Sequence, residues 1–375
     1  MIGIYIHVPF CSKKCGYCDF YSIIRLTNKS DYLNALIKEI ELRADEFNTR
    51  KVATIYFGGG TPSLLSLSDF KSIFDVINKT FDISLTKEIT VEVNPDDVTV
   101  DYIKGLKAFG VNRISMGVQS FNNRILKFMN RRHNKSQAVE AVNNIREAGI
   151  NNLSIDLIYG IPGMTSEEWN SSINEALSLG VQHISAYHLT FEPDTPFYKR
   201  LQKKEILEIN DSESVKQYDA LVEGLAKGGF NDYEISNFSL PDYESNHNSN
   251  YWNGNKYFGF GPSAHSFDGT IRRWNYSNLD KYVDGISTNQ AYFDSESLSL
   301  IDSYNETIML SLRTKKGLSL DVLKSKFEST FLSHFNTVLQ DYLDNSKLII
   351  DNGFVSVKRD SKFLTDKIIS DFFMV

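Results

Sequence analysis

Every cysteine of this 375-residue chain lies within eight positions near its start. Cys11, Cys15 and Cys18 have the spacing C-x3-C-x2-C and directly follow a predicted strand. A compact loop with this spacing can direct three thiolates at one centre, and thiolates bind soft metals and iron–sulfur clusters. A four-iron cubane held in this way would have one iron without a protein ligand, open to a small molecule.

Two other interpretations of the cysteines stay open at this point. A zinc ion could be bound by the three cysteines and one histidine, for which His7 is the nearest candidate. The three residues could also be buried structural cysteines, but their concentration in one loop argues against this. Spacing alone favours a cluster over zinc only slightly.

A glycine run follows the second predicted strand, in Gly58-Gly59-Gly60-Thr61-Pro62. Glycine lets a ligand approach the backbone closely and leaves amides free to bind its polar end. By itself such a run could equally be a tight turn.

Short apolar runs recur along the first half of the chain, each followed by an amphipathic stretch. This pattern predicts βα units around a parallel sheet. The predicted strands are Ile4–Val8, Thr54–Phe57, Ile89–Val93, Arg113–Val118, Leu153–Ile158 and Ile184–Leu189. Six units predict an α/β fold with an incomplete (β/α)6 barrel, whose sites lie at the C-terminal ends of the strands.

Apolar residues at helical spacing follow the first two strands. After the first strand they are Leu33, Leu36, Ile37 and Ile40, and after the second they are Phe70, Ile73, Phe74 and Ile77. Ser30 is the predicted N-cap of the first helix.

Beyond Glu205 the pattern changes. A helix carrying Val215, Tyr218, Leu221, Val222 and Leu225 precedes aromatic, Asn-rich sequence that predicts a loop as far as Tyr276. Helices near Glu306–Leu312 and Leu320–Phe327 then precede a hairpin, Leu348–Ile350 and Phe354–Val357, turned by Asp351-Asn352-Gly353. This end of the chain predicts a small, helical, winged-helix-like domain.

The composition narrows the class of protein. The 47 Asp and Glu outnumber the 40 Lys and Arg, for a formal charge of -7, which argues against broad nucleic-acid binding. The start of the chain lacks the features of a signal peptide, and no apolar run is long enough to cross a membrane. Unpaired cysteines in one loop predict a reducing, cytoplasmic location.

The C-x3-C-x2-C cysteines and the glycine run Gly58–Gly60 together resemble the motifs of the radical S-adenosylmethionine (SAM) superfamily. Along nearly the whole chain the sequence is similar to oxygen-independent coproporphyrinogen III oxidases and their HemW-type haem-chaperone relatives. The segments that carry this similarity are Tyr5–Cys11, Val91–Pro95, Ser115–Phe121 and Ile155–Gly163.

The resemblance implies that the three cysteines hold a [4Fe-4S] cluster whose open iron chelates SAM. The residues that it implies around SAM are Tyr5, Tyr17, Gly59, Gly60, Thr61, Glu92, Gln119, Arg131 and Asp156. Arg131 suits the methionine carboxylate, and Gln119 and Asp156 suit the ribose hydroxyls. Alternatively, Glu92 faces water at a strand end, and one of Arg131 and Arg132 is a solvated charge.

Two positions distinguish the oxidases from the haem chaperones. The oxidases carry a fourth cysteine two positions after the third, where this chain has Phe20. His247-Asn248-x-x-Tyr251-Trp252 matches a motif associated with the chaperones, which implies haem binding at His247. A hydrogen-bonded loop residue is the alternative for His247. Four more residues could contact the haem propionates: His188, His265, Arg272 and Arg273. Ordinary surface or packing roles are equally open for them.

The resemblance therefore implies a haem chaperone that binds a [4Fe-4S] cluster and SAM, carries haem as cargo and delivers it to an acceptor protein. Coproporphyrinogen III oxidase is the alternative, a zinc-stabilised barrel is a remote third, and SAM cleavage is left open. An electron donor is implied, as is a peripheral membrane association through the haem acceptor. The expected domains are a partial barrel with the cluster and SAM sites (1–205), a barrel-completing, haem-facing region (206–295) and the C-terminal domain (296–375).

Overall fold

The computed structural model of the chain describes residues 1–24 and 27–375. Six parallel strands form the centre of its main sheet and alternate with helices along the chain. The strands are β1 (Ile2–Val8), β2 (Val52–Gly59), β3 (Glu88–Val93), β4 (Arg113–Gln119), β5 (Asn152–Tyr159) and β6 (His183–His188). All six predicted strands are confirmed to within two residues at each end.

Helices follow these strands and cover the sheet. They are α1 (Lys29–Leu42), α2 (Leu67–Thr80), α3 (Val100–Ala108), α4 (Asn123–Phe128), α5 (Lys135–Glu147), α6 (Ser166–Ser178), α7 (Pro196–Gln202) and α8 (Asp211–Lys227). The central strands are buried along nearly their whole length, as expected for parallel strands covered by helices.

The predicted N-cap of the first helix is wrong. Helix α1 begins at Lys29, with Asn28 in the N-cap position and Ser30 already inside the first turn. The Asn28 carbonyl accepts the backbone N–H of Tyr32, which starts the helical hydrogen bonds earlier than Ser30 would.

The main sheet continues on both sides of the six strands. The added strands are β7 (Asn231–Asp232), β8 (Asn237–Ser239), β9 (Tyr257–Phe260), β10 (His265–Phe267), β11 (Ile271–Asn275) and β12 (Phe293–Ser297). The order is β12-β11-β10-β9-β1-β2-β3-β4-β5-β6-β8-β7. Because β12 and β7 do not pair with each other in the part of the chain described, the barrel is incomplete, as predicted.

The loop predicted as far as Tyr276 is wrong in part. This segment contains β7 to β11 and helix α9 (Asn246–Trp252), and α10 (Leu279–Thr288) follows it. The strands have two to five residues each, too short to give a clear alternating pattern, and α9 is rich in Asn rather than apolar residues.

The C-terminal part has its own buried core around Tyr304, Ile308 and Phe335. Its helices are α11 (Leu300–Leu312), α12 (Leu320–Lys326), α13 (Ser329–Asp344) and α14 (Thr365–Asp371). A three-stranded sheet joins β13 (Leu318–Ser319), β14 (Leu348–Asp351) and β15 (Phe354–Val357). The predicted hairpin is confirmed, whereas α13, α14 and β13 are additional. The three domain boundaries stay predictions.

Asn352 and Gly353 turn this hairpin with φ angles of 47° and 80°. Two successive positive φ values are what a two-residue hairpin turn requires. Among residues 1–24 and 27–375, no helix combines the length and apolar character that a membrane crossing needs.

Candidate cofactor site

The cysteine loop leaves the C-terminal end of β1 and is closed at its base by backbone hydrogen bonds. Cys11 N–H donates to the Ile23 carbonyl at 2.9 Å, and Ile23 N–H donates to the Pro9 carbonyl at 2.7 Å. Cys11 is buried, whereas Cys15 and Cys18 are partly exposed. The loop therefore presents three free thiols from one fixed base.

His7 lies beside this loop, but its ring is already engaged. Its Nε2 atom lies 2.9 Å from the Tyr21 carbonyl oxygen and its Nδ1 atom 3.1 Å from the Tyr5 hydroxyl. In the described part of the chain, no three His, Cys, Asp or Glu side chains converge closely enough to hold a single metal ion. That finding includes the three cysteines, so it does not separate zinc from a cluster. The contacts of both ring nitrogens with Tyr21 and Tyr5 argue against His7 as a fourth zinc ligand.

Burial raises the pKa of the Cys18 thiol to about 11. A thiol in this state stays protonated at neutral pH until a metal or cluster displaces its proton. Three cysteine thiols from one loop are the ligands that iron–sulfur clusters use.

The glycine run packs directly against β1 and the cysteine loop. Gly60 N–H donates to the Val8 carbonyl at 2.8 Å, and a Cβ on Gly60 would lie 2.7 Å from the Phe10 carbonyl oxygen. Gly59 has a φ of 105°, and a Cβ there would lie 2.6 Å from the His7 ring. On the side where a Cβ would project, the space is filled by the chain itself. Ligand binding by the Gly59 and Gly60 amides stays a prediction.

Thr61 connects the glycine run to the cysteines. Its Oγ1 atom lies 3.4 Å from Cys11 Sγ and accepts a hydrogen bond of 3.3 Å from Asn94 Nδ2. Asn94, which follows β3, also accepts from Arg131 Nη2 at 2.7 Å. The sequence did not single out Asn94, although a polar residue directly after a strand is a signal for the site edge of a barrel.

Arg131 faces the cysteine loop, and its neighbour Arg132 does not. Arg131 Nη1 donates to Cys15 Sγ at 3.4 Å, and Nη2 also donates to the Gly117 carbonyl. Arg131 Nε is buried without a partner among the described residues. Arg132 instead forms ion pairs with Asp96 and Asp97 at 2.6 and 2.7 Å. Arg131 is thus a partly buried cation with donor capacity to spare.

Gln119 and Tyr17 both lie near Arg131. A Cβ placed on Gly117 would lie 3.0 Å from Gln119 Nε2 and 3.3 Å from Arg131 Nη2, so both side chains meet over that glycine. Gln119 follows a bulge in β4 and has a φ of 66°, which is uncommon for a residue with a side chain. Burial raises the pKa of Tyr17, whose hydroxyl lies beside Cys15.

A second polar group lies on the inner face of the barrel. Glu92 Oε1 accepts from the Tyr56 hydroxyl at 2.8 Å, and the Tyr5 ring stacks on Tyr56 with centroids 6.2 Å apart. Burial raises the pKa of Glu92 to about 7, and burial also raises the pKa of Asp156 to about 6. Glu92 is therefore a hydrogen-bonded interior carboxyl, unlike the water-facing alternative.

His247 lies at the other end of the barrel. Helix α9 begins beside Glu88, the first residue of β3, whose carboxylate accepts the backbone N–H groups of Asn246 and His247 at 2.8 and 3.0 Å. This carboxylate satisfies donors at a helix N-terminus and suits its positive dipole end. Because Glu88 starts β3 whereas the cysteine loop follows the end of β1, α9 and the cysteines lie at opposite ends of the parallel strands.

Both ring nitrogens of His247 are occupied. Nδ1 lies 2.8 Å from Thr54 Oγ1 and Nε2 lies 2.9 Å from the Tyr251 hydroxyl. The ring stacks on Tyr56 with centroids 5.0 Å apart, and only 2% of the residue is exposed. Burial lowers the pKa of His247 to about 3. In this conformation no ring nitrogen is free for iron, so the contacts match the hydrogen-bonded alternative, in a helix rather than a loop.

The remaining candidates have packing partners. His188 Nε2 lies 3.0 Å from Ser214 Oγ, and the ring of His265 stacks on Trp274. Arg272 pairs with Glu306, and Arg273 pairs with Glu46 at 2.8 Å. These contacts match their ordinary packing roles. Phe20, in the position of the oxidases' fourth cysteine, is 65% exposed.

Comparisons with known proteins agree with this architecture. Residues 5–176 match the Radical SAM superfamily, and residues 298–363 match the HemN C-terminal domain. The solved structure of coproporphyrinogen III oxidase (HemN) from Escherichia coli superposes with a TM-score of 0.86, covering 99% of this chain and 89% of that one at 24% identity. Fold and motifs together define a radical SAM protein with a HemN-type C-terminal domain.

Curated relatives narrow this class. The heme chaperone HemW of Lactococcus lactis is 36% identical over 350 residues, which cover 93% of this chain and 90% of the relative. HemW of Bacillus subtilis is 34% identical over 375 residues, 99% of each chain. The chain belongs to the HemW family of radical SAM proteins, which confirms the resemblance. Membership in the superfamily implies a [4Fe-4S] cluster and SAM as cofactors.

Proposed function

We propose that this protein is a haem chaperone that binds a [4Fe-4S] cluster and SAM and delivers haem to acceptor proteins. The observation that carries the proposal is the similarity to proteins named heme chaperone HemW along 93% and 99% of the chain. Phe20 supports it, because a phenyl ring cannot supply the thiol that the oxidases have at this position.

The residues at the C-terminal ends of the strands suit the cofactors. Cys11, Cys15 and Cys18 would hold the cluster, and the chemistry that cluster and SAM supply together is one-electron cleavage of the sulfonium. Arg131, oriented by Asn94, would bind the methionine carboxylate through its spare donors.

The other predicted SAM contacts divide by chemistry. Glu92 would accept hydrogen bonds from the methionine ammonium group, and Gln119 and Asp156 would bind the ribose hydroxyls. Tyr5 and Tyr17 would form apolar walls. Thr61 lies against Cys11 and would hold the cysteine loop to the glycine run, with Gly59 and Gly60 leaving amides near the ligand.

The partners follow from the same proposal. They are haem or a related porphyrin, a haem-acceptor protein and an electron donor, with no nucleic acid. A cytoplasmic location and a peripheral membrane association through the acceptor stay predictions. The chain is proposed as a haem carrier, and the proposal does not include cleavage of SAM.

An anaerobic assay tests the proposal. Cluster-loaded protein is incubated with reductant and SAM, and receives haem in one sample and coproporphyrinogen III in another. Chromatography and absorbance then measure bound haem and porphyrin products. We expect stable haem binding and unchanged coproporphyrinogen III. Conversion to protoporphyrinogen would establish the oxidase and overturn the proposal.

The variant Cys11→Ala/Cys15→Ala/Cys18→Ala is the control for this assay. It should lose the broad brown absorbance and the iron of the reconstituted protein. Unchanged iron content in this variant would overturn the cluster assignment, whatever the porphyrin assay shows.

A further inference from the structure

A groove of about 610 Å³ is lined by residues of helix α9 and of the C-terminal domain. Its volume lies within the range of about 300–1,000 Å³ that is common for small-molecule sites. Trp252 and Tyr233 line it from the barrel side, and Phe354 lines it from β15. Three aromatic side chains thus face one cavity between the two cores.

The groove lies on the outer side of the same helix that buries His247. Ser249, Trp252 and Asn253 line the groove, whereas the His247 side chain points into the barrel towards Thr54. Trp252 Nε1 is buried without a hydrogen-bond partner among the described residues. One face of α9 therefore fixes the helix, and the other presents an indole to the cavity.

Positive charge accompanies these aromatic faces. Lys315, Lys316 and Lys326 line the groove, against one carboxylate, Glu244. Lys315 lies 3.7 Å from Asp232, but Lys316 and Lys326 form no ion pair within residues 1–24 and 27–375. Lys316 Nζ instead lies 5.5 Å from the centre of the Phe354 ring. The groove therefore offers two lysines without an ion-pair partner among the described residues, and one of them, Lys316, lies beside an aromatic ring.

We propose that this groove binds the tetrapyrrole cargo, with the propionates towards Lys316 and Lys326 and the macrocycle against Trp252 and Phe354. This inference rests on the proposed function, because it takes haem as the cargo. Flat aromatic faces suit a macrocycle, and lysines suit carboxylates. The groove-lining residues include no His, Cys or Met for the iron.

Tyr233 is the one phenol in the groove lining, and its hydroxyl lies 2.7 Å from His183 Nε2. Because this hydroxyl is engaged, recognition depends on the propionates and the ring faces rather than on the iron. Metal-free protoporphyrin IX should then bind about as tightly as haem. Its dimethyl ester, which lacks the carboxylates, should bind more weakly.

The test is a titration of the full-length, cluster-loaded protein with haem, protoporphyrin IX and the dimethyl ester, followed by Soret absorbance and fluorescence. The test variant is Lys316→Glu/Lys326→Glu. Its matched control is Lys104→Glu/Lys281→Glu, which reverses two exposed charges that do not line the groove. Reversing two propionate contacts should weaken haem binding about tenfold or more. The control should stay within about twofold of the wild type.

Two results would overturn the inference and separate it from the proposed function. If the wild type binds haem and the Lys316/Lys326 variant binds it equally well, the groove is wrong and the chaperone proposal stands. Tight binding of haem without binding of protoporphyrin IX would likewise exclude a groove without an iron ligand. If the wild type binds no haem, both proposals fail together.

Discussion

Arg131 and Arg132 are sequence neighbours with different partners. Arg131 contacts Cys15 and Asn94, whereas Arg132 pairs with Asp96 and Asp97. Replacing Arg131 with Ala should weaken SAM binding about 10- to 100-fold, because hydrogen bonds to a charged group contribute roughly 1.5–3 kcal/mol. Equilibrium dialysis of cluster-loaded protein measures this, with Arg132→Ala as matched control and iron content determined for both. Equal SAM affinity in Arg131→Ala and wild type would remove Arg131 from the site.

Glu92 gives the proposed SAM site a pH dependence. Since burial raises the pKa of Glu92 to about 7, the free protein binds a proton there that a cationic ligand would displace. SAM binding should therefore strengthen from pH 6 to pH 8, with proton release detectable by calorimetry in two buffers. Asp156, with a pKa raised by burial to about 6, adds a smaller change over the same range. The variant Glu92→Gln removes the part of this pH dependence that comes from Glu92. An unaltered pH profile of SAM binding in that variant would contradict the assignment of Glu92 to the SAM site.

The Glu92 carboxyl should also make the stability of the folded protein decrease as pH rises. Its folded pKa is raised, so the stability that comes from the protonated form is present at low pH and lost as pH rises through about 7. Cofactor-free Glu92→Gln should therefore be more stable than wild type at pH 8, by roughly 1–3 kcal/mol, with the difference shrinking towards pH 5. Urea unfolding at both pH values measures it. A gain independent of pH would show that Glu92 is ionised throughout.

At the scale of elements, the glycine run sets the distance between β2 and the cysteine loop. Gly60→Ala would force a Cβ to within 2.7 Å of the Phe10 carbonyl oxygen, so the backbone before Cys11 must shift. We expect a loss of roughly 1–3 kcal/mol in the free energy of unfolding, together with lower iron content. Gly3→Ala is the control, since its Cβ would meet its nearest neighbours at 3.4 Å, an ordinary contact. Normal stability and iron content in Gly60→Ala would contradict this account.

Helix α9 depends on His247 for its attachment to the sheet. His247→Ala would leave Thr54 Oγ1 and the Tyr251 hydroxyl without their imidazole partner and would remove the stack on Tyr56. The haem-free protein should lose roughly 2–4 kcal/mol of stability. Tyr251→Phe, which removes one of the two hydrogen bonds, should cost about 0.5–1.5 kcal/mol. Unchanged stability with complete loss of haem binding in His247→Ala would instead identify His247 as the haem ligand.

Sequence patterns predicted some elements and not others for physical reasons. The six central strands were found because strands buried on both faces form apolar runs. Strands β7 to β12 have only two to five residues each and flank the six central strands. Helix α9 is fixed by Glu88, which is more than 150 positions away in the chain. A contact of that kind leaves no local pattern. For the same reason, the sequence alone does not predict that Arg131 rather than Arg132 faces the cysteine loop, or that both His247 nitrogens form hydrogen bonds.

At the scale of the whole molecule, the proposed SAM site and the proposed haem groove lie at opposite ends of the barrel strands. The cysteine loop lies at the C-terminal ends of the strands, whereas α9 lies at their N-terminal ends and borders the groove. A substrate attacked by a radical generated at SAM must lie next to SAM, because hydrogen abstraction needs close contact between the reacting atoms. A cargo bound beyond α9 would be out of reach, which agrees with a carrier rather than an oxidase.

Haem transfer tests the central claim most directly. The cluster- and haem-loaded protein is mixed anaerobically with the apo form of a respiratory haem enzyme, and haem in the acceptor is followed by absorbance after separation. Haem bound to serum albumin at equal concentration is the control donor. The account predicts that the acceptor gains haem, and its activity, from this protein faster than from albumin. Haem that stays on the protein, or that reaches the acceptor no faster than from albumin, would contradict the chaperone function.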